Sequence, residues 1–256
     1  MMKIKISFII VAFLILVGCN STGGTRPTTT EQTSPNPKAA ELNMRLGLNY
    51  MQRGDYKIAL EKLDKALIQN PNLPSAHNTI AILYQRLKEM DKAEYHFKQA
   101  IAEQPDYSSA HNNYGAFLCG QKKYKEAEQQ FLEAIKNPLY DSPAQAYENA
   151  GLCVNRIPDQ TLAEQYFRKA LQIDPNLSKS LLQMAKLRFL DIDYTEAQAY
   201  LKRYQAIAPW TAEALLTAIK IESRLGNQDT VASYKLLLRA KFPDSDEEAE
   251  IKRGQY

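Results

Sequence analysis

Histidine is the side chain of this chain best suited to hold a metal or move a proton, and there are only three. Two of them lie in the same tetrapeptide, Ser75-Ala76-His77-Asn78 and Ser109-Ala110-His111-Asn112, 34 residues apart. Neutral imidazole is the commonest metal ligand, so matched histidines could be half of a metal or catalytic site. A repeated fold would also set equivalent residues at one fixed period, with no chemistry implied. The spacing decides. At steps of 34 residues Ala59 leads to Ala93 and Ala127; after a slip of two residues the series resumes at Ala163 and Ala197 and ends at Val231. His77 and His111 share their slot with Asn43, Tyr147, Leu181 and Leu215 in other units. A slot that accepts asparagine, tyrosine and leucine is a packing position. His96 stands alone on a second helix. Paired histidines at metal-ligand spacing on one helix are missing, as is a glycine-rich phosphate loop, so neither a metal site nor an enzyme is expected.

The elements that carry these slots are helical hairpins. Leu42, Leu46 and Tyr50, then Ala59, Leu63, Ala66 and Leu67, recur at three- and four-residue spacing, which places them on one stripe of each of two helices. Between them lies Arg53-Gly54-Asp55-Tyr56, where Gly54 can take the left-handed conformation that ends a helix. Four residues after each repeated alanine stands a large apolar side chain: Leu63, Phe97, Phe131, Phe167, Leu201. Three further on is a small one in the first four units: Ala66, Ala100, Ala134, Ala170. Units close on Pro71, Pro105, Pro138, Pro175, Pro209 and Pro243, because the residue before proline is pushed out of the α region. No hairpin of this size buries its apolar faces alone, so neighbours must stack.

The pattern resembles the tetratricopeptide repeat. Leu46, Gly47, Tyr50, Gly54, Asp55, Tyr56, Ala59, Leu63, Ala66 and Pro71 match it in the first unit, and Gly115, Ala127, Phe131, Ala134, Gly151, Ala163, Phe167, Ala170 and Pro175 in the third and fourth. The resemblance implies an all-α, right-handed α-solenoid of about six helical hairpins over residues 40–245. Units fall near 40–73, 74–107, 108–141, 144–177, 178–211 and 212–245. Residues 246–256 read as a short, frayed, charged tail.

Ahead of the repeats, Met1-Met2-Lys3-Ile4-Lys5 and a dozen mostly apolar residues, too few to span a bilayer comfortably, have the shape of a secretory signal peptide. It ends in Leu16-Val17-Gly18-Cys19, which resembles a bacterial lipobox. The resemblance implies cleavage after residue 18 and acylation of Cys19 with a diacylglycerol and an amide-linked acyl chain, the anchor being held by several chains together. Asn20 stands where that family's retention signal would be aspartate, which favours the outer membrane, facing the periplasm. Residues 19–39, rich in Thr, Ser, Pro and Gly, read as a flexible tether with a reach of roughly 25 Å.

Composition narrows the function to binding. Loss of Lys3 and Lys5 with the leader reduces 32 basic residues to 30, against 29 acidic, so there is no electrostatic case for nucleic acid. First helices of a repeat stack line its concave surface, and by resemblance the groove slots are Met44, Leu48 and Met51, then Asn78, Ile82 and Gln85, then Asn112, Ala116 and Cys119. Apolar side chains beside amides suit a partner segment with apolar anchors and exposed backbone polar groups. The Lys, Arg and Asn set with which some tetratricopeptide domains clamp a terminal carboxylate is absent, Met44, Leu48 and Thr79 standing in its places. Lipobox, polar tether and repeats together resemble PilF/PilW-type pilotins of type IV pilus assembly. That resemblance implies a monomeric lipoprotein with no small-molecule substrate, which binds outer-membrane secretin (PilQ-like) subunits and promotes their localisation and multimerisation. Another periplasmic scaffold lipoprotein, for cell-wall enzymes or outer-membrane assembly, is the alternative.

Two cysteines remain once Cys19 is acylated. Because of the two-residue slip, Cys119 sits two slots later in its helix than Cys153 does in the next unit's first helix. Two residues turn a helix by about 200°, so the sulfurs project from facing flanks of neighbouring parallel helices, with Cα atoms about 6 Å apart. That separation and an oxidising compartment allow a disulfide; two buried free thiols are the other possibility. A bridge would staple units three and four at Asn137-Pro138-Leu139-Tyr140-Asp141-Ser142-Pro143, where the slip should weaken packing.

Overall fold

The computed structural model of the chain describes residues 35–157 and 160–254. The leader, Cys19 and most of the tether lie outside the described residues. Within them are thirteen helices and no strand. Six antiparallel hairpins follow one another: α1 (Pro37–Gln52) with α2 (Tyr56–Gln69), α3 (Pro74–Arg86) with α4 (Met90–Glu103), α5 (Ser108–Gly120) with α6 (Tyr124–Lys136), α7 (Pro143–Val154) with α8 (Gln160–Ile173), α9 (Ser178–Leu190) with α10 (Tyr194–Ile207), and α11 (Ala212–Arg224) with α12 (Gln228–Lys241). The first begins inside the stretch expected as tether. Asn36 is the reason: its side-chain oxygen accepts from the Ala39 amide at 3.1 Å, and Pro37 supplies a helix-ready φ behind it.

Five of the six hairpins are held shut by one contact, repeated; the sixth has Ile219 and Lys235 in its slots. The ideal Cβ of Gly47 would stand 2.5 Å from Leu63 Cγ, that of Gly115 2.8 Å from Phe131 Cδ1, and that of Gly151 2.7 Å from Phe167 Cε1. The first helix must present almost no side chain there, so that the large residue of the second can lie against its backbone. Ala81 and Ala185 fill the same slot, fully buried, in units two and five.

The five hairpin turns that lie wholly within the described residues share one hydrogen-bond pattern. In the first, the amide of Gly54 donates to the Met51 carbonyl and that of Asp55 to Tyr50, which satisfies the last carbonyls of α1. The pattern needs a positive φ. Gly54 (86°) and Gly226 (81°) supply it readily, whereas Lys88 (63°), Lys122 (63°) and Ile192 (65°) hold it against the clash of their Cβ. Ile192 is β-branched and 72% exposed, so it holds this conformation without packing in return. Ile192→Gly should therefore stabilise the domain by about 1 kcal/mol, the relieved clash exceeding glycine's added chain entropy. A thermal melt should rise by roughly 2–4 °C; an unchanged or lower melt would show that the turn stores no strain.

Two expectations need correcting. The joint between units three and four is not weak: one buried cluster runs without a break from Ala81 and Phe97 through Phe131 and Phe167 to Met184 and Leu187. The two extra residues are absorbed outside the helices, where the Asn137 side chain accepts from the Leu139 amide at 2.9 Å and leaves Leu139 in solvent. Residues 246–252, expected as part of a frayed tail, are ordered into a helix. This helix, α13 (Asp246–Lys252), packs on α11 and α12. Ser245 caps it by accepting from the Glu248 amide, Ile251 joins the cluster of Leu215, Ile219 and Leu238, and the fully buried Glu248 carboxylate meets Arg239 at 3.1 Å.

Candidate functional site

The backbones of the odd-numbered helices approach one another in sequence, α1 on α3, α3 on α5, and on to α11, whereas among the described residues the even-numbered helices stand further apart and meet only through side chains, as Tyr166 of α8 does with Glu128 of α6. The row with the closer spacing lies on the inside of a curved stack, so the first helices line the inner face. One slot recurs along it as Leu48, Ile82, Ala116, Leu152, Lys186 and Lys220. Met44, Leu48 and Ile82 are half-buried, each resting on the cluster of Met51, Ile80 and Leu83 with part of its surface open. Gln85 and Asn112 are half-buried too, and Ala116 is exposed.

Two of the expected groove residues are not groove. Met51 is 2% exposed and belongs to the core between units one and two, while Asn78 is 6% exposed. Met51 sits about 100° of helical rotation from the exposed Gln52, whereas Asn78 lies between the buried His77 and Thr79. Asn78 has a structural partner: its oxygen accepts from Asn113 Nδ2 at 3.1 Å, and one repeat later Asn112 accepts from Asn149 Nδ2 at 3.0 Å. Glu148, in the equivalent slot of unit four, accepts from the amide and hydroxyl of Ser180 at 3.0 and 2.8 Å. These polar groups join successive first helices.

The inner face carries two depressions. One, of about 200 Å³, lies over the Cys119–Cys153 bridge between Ala116, Gly120, Leu152 and Arg156. The bridge joins α5 to α7, with Cα atoms 5.8 Å apart. The other, of about 240 Å³, lies between α9, α11 and α13 against Phe189, Leu190 and Leu216. Its lysines are both paired, Lys186 with Glu213 at 2.6 Å and Lys220 with Glu250 at 2.8 Å. The sequence reading stopped at unit three and missed this second depression, although the 34-residue step from Ala116, with the slip, leads to Leu152, Lys186 and Lys220.

Models of the tetratricopeptide repeat match residues 47–88, 74–107, 96–129 and 118–178. Over 250 residues, 98% of both chains, the sequence is 31% identical to the type IV pilus assembly protein PilF of Pseudomonas aeruginosa. The chain belongs to the PilF/PilW family. A solved structure of P. aeruginosa PilF superimposes with a TM-score of 0.81 at 33% identity, covering 85% of this chain and 98% of that one. PilW, described as a widely conserved type IV pilus biogenesis factor, superimposes with a TM-score of 0.76 at 32% identity, over 84% and 99% of the two chains.

In this PilF/PilW-family chain the histidines act as internal ties. His77 Nε2 donates to the Pro71 carbonyl at 2.9 Å, and His111 Nε2 to that of Pro105 at 2.9 Å, fastening each first helix to the turn before it. The other nitrogen faces the second helix: His111 Nδ1 meets Gln130 at 2.8 Å, and His77 Nδ1 meets His96 Nδ1 at 2.9 Å. His96, expected to stand alone, is therefore the partner of His77, in the slot that Gln130 occupies one repeat later. With the His77 proton on Nε2, His77 Nδ1 accepts and His96 donates from Nδ1. Burial, and then the charge of His77, lower the pKa of His96 from 6.5 to about 4. No group of three or more candidate ligands is gathered for a metal among the described residues.

The sign of the resulting pH dependence follows from that lowering. Above pH 6.5 neither the folded nor the unfolded state protonates His96, so it contributes nothing. Between 6.5 and about 4 the unfolded chain takes a proton that the folded chain resists, and stability falls as pH falls. His96 is half-exposed, so screening reduces the effect to about 1–2 kcal/mol. His96→Gln, which copies the His111–Gln130 pair, should remove that share of the loss in urea melts between pH 7.5 and 4.5. Parallel curves for variant and wild type would refute it.

Proposed function

We propose that this chain is a pilotin of type IV pilus biogenesis. It binds subunits of the outer-membrane secretin on the inner face of its repeat stack, and promotes their localisation and multimerisation. The carrying observation is the match to PilF over 98% of both chains. The half-buried apolar row of Met44, Leu48 and Ile82 supports the choice of surface, since such side chains give a partner segment anchor points while their lower parts stay packed. Lipidation of Cys19 would hold the protein at the periplasmic face of the outer membrane. The tether would let the repeats stand clear of the lipid. Such a role needs no bound cofactor and no catalysis; its output is an assembled partner.

The test is capture of detergent-solubilised secretin by the purified chain. Met44→Glu combined with Leu48→Glu should weaken capture at least tenfold and leave helical content nearly unchanged, since the altered atoms lie at the open edge of the core. In cells, Cys19→Ser should leave a folded repeat domain but fewer or mislocated secretin multimers on gels of membrane fractions. Normal capture by the double variant, or normal multimers in the outer membrane with Cys19→Ser, would count against the reading.

A further inference from the structure

The depression over the disulfide is where the inner face departs from its own pattern. Ala116 occupies the slot that holds Leu48, Ile82 and Leu152 elsewhere, and Gly120 the slot of Gln52, Arg86, Arg156 and Leu190. Both are exposed, and a Cβ built on Gly120 meets nothing within 4 Å. Unit three thus gives up two side chains at once, and the space they leave has an apolar floor. The Cys119–Cys153 bridge, the Phe131 ring and Leu152 form it, with Arg156 at its edge.

The charge around this depression is one-sided. Arg156, Arg86 in the equivalent slot of unit two, and Lys122, two residues beyond Gly120, form no ion pair among the described residues. Arg86 makes only a long contact, 3.4 Å, to the Met51 carbonyl. The second depression differs, since both of its lysines already have carboxylate partners. The uncompensated cations over units two to four thus complement an acidic partner.

We infer that the depression in unit three receives an aromatic side chain from an acidic segment of the partner polypeptide. A ring entering there meets sulfur at its edge, an arrangement that divalent sulfur favours, and lies beside a guanidinium that can cover its face. Carboxylates on either side of the ring in sequence reach Arg86, Lys122 and Arg156. The inference deepens the pilotin reading and rests on the inner face being the partner surface.

Fluorescence anisotropy of labelled twelve-residue peptides on the detergent-solubilised full chain tests it. One peptide has a central Phe between Asp and Glu residues; a second has Ala for Phe; a third has Lys for every acidic residue. The first should bind at least tenfold tighter than either of the others. Ala116→Ile and Gly120→Leu, which restore the bulk of other units at exposed positions, should each abolish the preference for Phe over Ala. Arg156→Glu should reduce the preference for acidic flanks at least fivefold. Equal binding of all three peptides, or affinity for the Phe peptide unmoved by Ala116→Ile and Gly120→Leu, overturns the inference. If the peptide data fail while Met44→Glu with Leu48→Glu still abolishes secretin capture, the pilotin reading stands without it. If the depression selects the peptide while the purified chain captures no secretin, the aromatic site stands and the secretin reading falls.

Discussion

Phe167→Ala should destabilise the repeat domain by about 3–5 kcal/mol, as deletion of a fully buried aromatic does where the surroundings cannot close over the cavity. Phe167 has no exposed surface, and its ring lies against the backbone of α7 at Gly151, whose missing side chain makes room for it. Its removal opens the hairpin of unit four and the cluster that continues into units three and five. The repeats supply their own control. Unit one makes the same contact with Leu63 on Gly47, so Phe167→Leu should cost only about 1–1.5 kcal/mol. Urea melts of the two variants separate the contributions of cavity and ring. Since a domain is stable by only about 5–15 kcal/mol, the alanine variant should be partly unfolded at growth temperature and readily cleaved by protease. Equal losses for alanine and leucine would mean that the ring-on-glycine contact does not hold the hairpin.

The second large effect comes from the bridge. Cys119 and Cys153 are 34 residues apart, and closing a loop of that length restricts the unfolded chain by about 3–4 kcal/mol on the chain-entropy account. Cys119→Ala with Cys153→Ala should lower the melting temperature by roughly 10 °C at a few degrees per kcal/mol. Reductant should bring the wild-type domain down to meet the variant. Thiol labelling of denatured, unreduced protein made without Cys19 should find no free thiol before reduction and two after it. Two labelled thiols without reductant, or a melt indifferent to reductant, would contradict this.

The repeat slots made the hairpins legible, because an alanine, a large apolar residue and a proline return at one period, whatever lies between. Less legible was anything that depends on an angle smaller than that between neighbouring slots. Met51 and Asn78 share the period of the groove slots, yet Met51 turns into the core and Asn78 into the seam between first helices, and periodicity alone does not fix where the inner face ends. His96 looks solitary along its own column of equivalent residues, where Gln130 comes next, because its partner His77 belongs to a different column. The pairing lies between columns. Helix α13 was hidden for another reason. A seven-residue helix has no stability of its own, and its sequence is mostly charge. Ser245 and Glu248 at capping spacing and one buried apolar residue, Ile251, were the only signs of it, and α11 and α12 supply the rest.

That short helix bears on assembly. A stack of repeats has two unlike ends, and each interior unit already shows how one hairpin receives the next. Identical copies could in principle use the same surfaces to add head to tail, an arrangement that does not close and so grows into a filament. Such growth needs a receiving end and a donating end on every molecule. With α13 seated on α11 and Ile251 set against Leu215, Ile219 and Leu238, the receiving end is occupied within the chain itself. One closed end is enough to stop the polymer, whatever the other presents. Shortening the chain after Ser245 would therefore uncover the surface of α11 and α12 that α13 covers and leave a subunit capable of linear polymerisation.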